Sequence, residues 1–289
     1  MRSCTNLITG EKIDCDFKDL ESLHVYQVKD NIAGKLGHAA DRIDIVVNNT
    51  KQEDSAIIPL NCSLGVLIGE GSSEWDLVYA IHCQWRRAYS FEDLYDLPAI
   101  CLSGKKPGGR LTVLPSRIRE LRNCIYIAIK DCCLRDLPHS IGEVHYLVVL
   151  EIQNTYLSTL PESIGDLLCL ERLDVSNNYL RELPSSMGKL GRLQFLDVSS
   201  NPLEKDLPDW MGYLGSLLEL RLSYTGIYTL PFSFGNLGRL RILLLDHNHI
   251  KELPQSFREL WELLHLDLTE NNPPLKRMPV PPNLKTASF

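Results

Sequence analysis

The residues most able to do chemistry lie late in the chain, where Asp246, His247, His265 and Asp267 combine carboxylates with imidazoles, a plausible set of metal ligands. They fall at a spacing that puts them on neighbouring strands, where polar side chains meet routinely, so the expectation is no metal and no cofactor. Cys132 and Cys133 form a vicinal thiol pair, and Cys169 stands alone. No histidine or aspartate near them completes a nucleophile motif, and the serine-hydrolase elbow, kinase and H-E-x-x-H signatures are absent. The segment Lys105-Lys106-Pro107-Gly108-Gly109 is glycine-rich but lacks the order of a phosphate-binding loop, so it reads as a plain loop. These patterns point away from an enzyme.

What positions such residues is a repeat. A Leu-Pro pair recurs at Leu114, Leu137, Leu160, Leu183, Leu207, Leu230 and Leu253, every 23 residues with a single step of 24. Within one unit Leu160, Ile164, Leu167, Leu170, Leu173, Val175 and Leu180 are apolar, and the next repeats them as Leu183, Met187, Leu190, Leu193, Leu196, Val198 and Leu203. The Leu173-x-Val175 step has a strand's period of two, whereas Ile164, Leu167 and Leu170 recur every three residues as a helical turn would. Each unit is therefore predicted to be a strand and then a short helix, with Pro at the first helical position. Neither element buries its apolar face alone, so neighbours must stack. Asn178, Asn201, Asn248 and Asn271 hold one register position, where an amide can satisfy backbone groups, and Cys132, Thr155 and Thr225 replace it elsewhere.

The pattern of Leu170, Leu173, Val175, Asn178 and Leu180 resembles the leucine-rich-repeat family, and the 23-residue Leu-Pro-x-x-Ile-Gly-x-Leu form is similar to its intracellular Ras-group-related scaffolds. The resemblance implies an α/β fold, a solenoid with a curved parallel sheet and short convex helices, and a partner that is protein. It covers residues 114–289, seven repeats closed by a C-terminal cap. A partial unit is expected from Leu97-Pro98 to Leu111, and the prolines at Pro273-Pro274 and Pro279 to Pro282 are expected to stop further pairing. Residues 82–113 read as linker and N-terminal repeat cap.

Residues 1–81 lack the period. Thr9-Gly10 reads as a hairpin turn, Val25, Val28, Ile32 and Leu36 recur as in a helix, and Ile43, Ile45 and Val47, then Trp75, Leu77, Tyr79 and Ile81, alternate as strands do. This order is similar to the ubiquitin-like β-grasp fold. Ile8 and Val78 match two positions of ubiquitin's receptor patch, whereas Asp44 and Asp76 replace an isoleucine and a histidine there. A small α/β cap on the solenoid fits the same residues.

Composition narrows the partner. The formal charge is −7, spread over both halves, and no basic face is present, which argues against nucleic acid. No apolar stretch reaches a membrane span's length, and Met1-Arg2-Ser3-Cys4-Thr5-Asn6 lacks the apolar run of a secretory signal. Nine cysteines without C-x-x-C spacing read as free thiols, so a cytoplasmic chain is expected and the sequons at Asn48 and Asn61 are chance. Register alone then names the concave, partner-binding residues. The first row is Tyr126, Val149, Arg172, Phe195, Glu219, Ile242 and His265. The second is Ala128, Glu151, Asp174, Asp197, Arg221, Leu244 and Asp267. Asp246, Tyr224 and His247 lie beside them. Phe195, Ile242, Leu244 and Tyr224 are apolar or aromatic where water is expected, as binding hot spots are. The function expected is a scaffold or adaptor. The alternative is a ubiquitin-pathway adaptor, its ubiquitin-like domain docking on a ligase or the proteasome while the repeats select a client.

Overall fold

The computed structural model describes residues 98–103, 111–203, 206–271 and 279–289, and within residues 1–97 the backbone of seven strands. These seven are β1 (Arg2–Asn6), β2 (Lys12–Cys15), β3 (Leu23–His24), β4 (Ile43–Val47), β5 (Thr50–Lys51), β6 (Ile57–Ile58) and β7 (Leu64–Ile68). Five of them form a sheet in the order β2-β1-β7-β4-β5, with β1 antiparallel to β2 and parallel to β7. The strand between β1 and β4 is thus Leu64–Ile68. The strand expected at residues 75–81 and the helix expected at 25–36 lie outside the described residues, as do Ile8, Asp76 and Val78.

The repeat region is a single parallel sheet of nine strands in chain order: β8 (Ala99–Ser103), β9 (Tyr126–Lys130), β10 (Val149–Gln153), β11 (Arg172–Asp174), β12 (Phe195–Asp197), β13 (Glu219–Arg221), β14 (Ile242–Leu244), β15 (His265–Asp267) and β16 (Thr286–Ser288). Adjacent strands pair with the 23-residue offset intact, Leu150 opposite Leu173 and Leu173 opposite Leu196. Two strands lie beyond the seven units. The partial unit supplies β8, and β16 pairs with β15 although prolines precede it. The expectation that those prolines end the pairing is corrected. They lie in the connection, and the strand that follows donates from Lys285 and Thr286 to the Leu264 carbonyl without needing a proline N–H.

The segments opposite the sheet are 3-10 helices of five residues, such as Glu162–Asp166 and Ser185–Lys189. Their period of three follows from the sequence, because the apolar residues recur every third position and 3-10 geometry repeats there. In one unit Ile164 N–H donates to Pro161 O, Leu167 to Ile164 O and Leu170 to Leu167 O, so each inward side chain also closes a turn. The proline sits one residue earlier than predicted. Pro161 is the N-cap, with extended φ −70° and ψ 149°, and its carbonyl accepts the first helical bond. Its missing N–H therefore lies outside the helix altogether.

The core runs the length of the stack, with Ile164, Leu167, Leu170, Leu173, Val175 and Leu180 fully buried in the unit just described. Each such side chain contributes roughly 1.5–3 kcal/mol by leaving water. The ladder amides complete the interior. Asn178 donates to the carbonyls of Ile152 (2.7 Å), Val175 (3.0 Å) and Ser176 (3.1 Å), while its oxygen accepts from Leu157 N–H and the Thr155 hydroxyl. Asn201, Asn248 and Asn271 repeat the donations to the carbonyl of the preceding unit and to that three residues back, and Thr225 substitutes with its hydroxyl on Leu222 O.

Candidate partner-binding face

Each concave strand alternates a core leucine with a residue that projects from the sheet. Pairing lines up Tyr126, Val149, Arg172, Phe195, Glu219, Ile242 and His265 as one row, and Glu151, Asp174, Asp197, Arg221, Leu244 and Asp267 as the next, as register predicts. The two halves of this face differ in chemistry.

In the N-terminal half the charges satisfy one another. Glu151 receives Lys130 Nζ at 2.8 Å, Arg172 Nε at 3.0 Å and the Tyr126 hydroxyl at 3.1 Å. Burial alone would raise its carboxyl pKa, but the Lys130 and Arg172 bonds outweigh that and hold it below the usual value. Burial, and then the Glu151 charge, push the Tyr126 phenol up to about 12. Asp174 takes Gln153 Nε2 at 2.5 Å and the Ser176 hydroxyl at 2.8 Å. Phe195 is covered, with the Arg172 guanidinium 3.5 Å from its ring centroid and that of Arg221 5.2 Å away, an attraction between cation and ring face. It is only 9% exposed. The expectation that Phe195 faces water is therefore corrected: two arginines, drawn in by Glu151, Asp174 and Glu219, shield it. Burial raises the Asp197 carboxyl pKa; bonds from Ser199 oppose it, and the Asp174 charge adds to it.

In the C-terminal half Ile242 and Leu244 are half-buried on the open face, and Tyr224 is exposed. Asp246 accepts the Ser223 hydroxyl on one oxygen and meets His247 Nδ1 at 2.9 Å on the other. His247 stacks on Tyr224, ring centroids 4.0 Å apart. Asp267 accepts Thr269 N–H and hydroxyl, and His265 Nδ1 meets the Thr286 hydroxyl at 2.6 Å. The imidazoles thus have separate partners, and among the described residues no group of three or more His, Cys, Asp or Glu is placed to hold a metal.

Two features escaped the register argument. Asp131, Asn154, Asn177, Ser200, Tyr224, His247 and Glu270 all adopt φ between 52° and 57°, the left-handed region, one residue before the ladder position. Their turn lets the N–H of Asn177 and of His247 reach Ser199 O and Thr269 O across the strands. Beside them, Tyr156 and Tyr179 stack at 5.8 Å and, with Asn154, Asn177 and Cys133, line a groove of about 600 Å³. Recurrence of tyrosine just after the ladder residue was the available signal.

Residues 117–225 match the leucine-rich repeat region family. No curated protein matches the sequence. Among solved structures, a leucine-rich-repeat protein of Leptospira interrogans is 28% identical with a TM-score of 0.57, over 62% of this chain and 50% of that one. The plant peptide hormone receptor RGFR1, in complex with RGF2, is 28% identical at a TM-score of 0.55, over 62% of this chain and 29% of the receptor. The repeat domain of the type III effector XopL is 24% identical at 0.55, over 67% and 71%, and speaks to fold alone. The chain thus spans half or less of the first two relatives. The nine-stranded curved sheet with its 3-10 helices is that of a leucine-rich-repeat solenoid, in general a protein-interaction module.

Proposed function

We propose that this chain is an adaptor that holds a protein on its concave sheet. The observation that carries the reading is the open C-terminal half of that face, where half-buried Ile242 and Leu244 stand opposite Glu219 and Asp267 respectively and Tyr224 is exposed. Exposed apolar groups clustered within a charged rim are how interaction surfaces are built. The complex of the plant receptor with its peptide hormone is a precedent for ligand recognition on this fold. On this reading the chain acts by binding. A cytoplasmic setting is supported by Cys124, Cys133 and Cys169, which are free thiols. Among the described residues no helix is long and apolar enough to cross a membrane. The strand order β2-β1-β7-β4-β5, with a parallel pair at its centre, supports a β-grasp N-terminal domain and, through it, the ubiquitin-pathway version of the adaptor.

The test is affinity capture from native lysate by the intact chain and by two variants of verified folding, Ile242→Asp/Leu244→Asp on the open face and Leu168→Asp, an exposed residue on the opposite side. Specific partners are expected to be lost with the first and kept with the second. Retention by both variants would defeat the reading.

A further inference from the structure

Resting on that reading, we infer that the partner segment held by β13–β16 is basic and amphipathic, an extended stretch that alternates lysine or arginine with aliphatic residues. The argument begins with how charge is distributed along the concave face. In the N-terminal half Lys130 and Arg172 neutralise Glu151 and Asp174, so that half is electrically closed. Arg221 is likewise engaged, by Glu219 at 2.5 Å and Asp197 at 3.9 Å. Beyond it the signs no longer balance. Asp246, Asp267 and Glu270 follow, and among the described residues no lysine or arginine lies within ion-pair distance of Asp246 or Asp267. Their hydrogen bonds come from neutral hydroxyls and backbone, together with the His247 ring.

The apolar component lies in register with these carboxylates. Ile242 stands opposite Glu219 and His265, and Leu244 opposite Arg221 and Asp267. A ligand crossing from β14 to β15 therefore passes from aliphatic surface to the Asp267 carboxylate, with Asp246 two residues beyond Leu244. The Tyr224 ring, 54% exposed and stacked on His247, adds an aromatic face next to Asp246, the setting in which an ammonium or guanidinium gains both ion-pair and cation-ring attraction. An acidic segment would place like charges together, and a wholly apolar one would desolvate the carboxylates without supplying a countercharge. Charge complementarity selects the basic, amphipathic occupant. Four strands at ~4.8 Å spacing span about 14 Å, which an extended chain crosses in roughly four to five residues.

The experiment is fluorescence anisotropy with the intact chain and a labelled peptide alternating lysine and leucine, alongside one with glutamate for lysine and one with serine for leucine. The lysine–leucine peptide is expected to bind and the other two to bind at least tenfold more weakly. Asp246→Asn/Asp267→Asn and Ile242→Ser should each weaken binding at least tenfold. The charge-matched Glu143→Gln/Glu259→Gln, exposed and away from the strands, should leave it unchanged. Equal binding to all three chain variants, indifference to lysine versus glutamate, or no binding would overturn the inference. If the captured partners still depend on Ile242 and Leu244 while the peptide fails, the adaptor reading survives and the basic segment alone is wrong; if capture is indifferent to those residues, both fall.

Discussion

A single carboxylate shows how the concave face trades stability for charge. Asp197 is 7% exposed, and Arg221, its cation, stands 3.9 Å away and is shared with Glu219. Burial, reinforced by Asp174, raises its pKa, so the folded chain holds this proton more tightly than the unfolded chain does. Stability is therefore reduced in full above the folded pKa, and the deficit vanishes below the ordinary carboxyl value near ~3.9. Asp197→Asn, whose amide oxygen can still accept the Ser199 N–H, should unfold at higher denaturant at neutral pH and match the parent chain in acid. An equal or lower midpoint at neutral pH would show that the Arg221 contact dominates instead. At this scale the sequence revealed which residues share the face but not which are exposed. Phe195 was legible as a concave residue, whereas its arginine cover depends on side-chain choices that register does not determine. The ladder residues were fully legible, because a buried amide at fixed register has few other uses.

At the scale of the element, the repeat's tight dimension lies where consecutive 3-10 helices touch. A Cβ placed on Gly165 would sit 2.3 Å from the Ser186 carbonyl oxygen, closer than any real contact, while one on Gly238 would meet nothing within 4 Å. Gly165→Ala must push neighbouring turns apart, and a loss of about 2–4 kcal/mol is expected, in the range of overpacked core substitutions. Gly238→Ala should be neutral or gain up to ~1 kcal/mol through the unfolded chain. Chemical denaturation of the two variants measures both, and similar midpoints would refute the close-approach account. The spacing of three made a helical turn legible, and the same spacing accounts for the 3-10 form once the bonds to Pro161, Ile164 and Leu167 are seen. The prolines before β16 misled because their effect was assigned to the strand, when they occupy the connection.

For the whole molecule, stacking means that each unit is stabilised by its neighbours, so the solenoid is a scaffold whose two faces can diverge in purpose without altering the core. The period of 23 made that scaffold readable from the sequence, since seven Leu-Pro registers permit few other folds. The difference between a closed N-terminal half and an open C-terminal half was not readable, because ion pairing across strands depends on three-dimensional reach. The account's central claim is that the open half is where a protein is held. The most direct measurement places a photocrosslinking side chain at position 242 on the concave face and, in a second chain, at position 168 on the opposite side, then irradiates each in native lysate. The account predicts a discrete crosslinked partner from position 242 and none from 168; the reverse pattern, or the same partner from both, would contradict it.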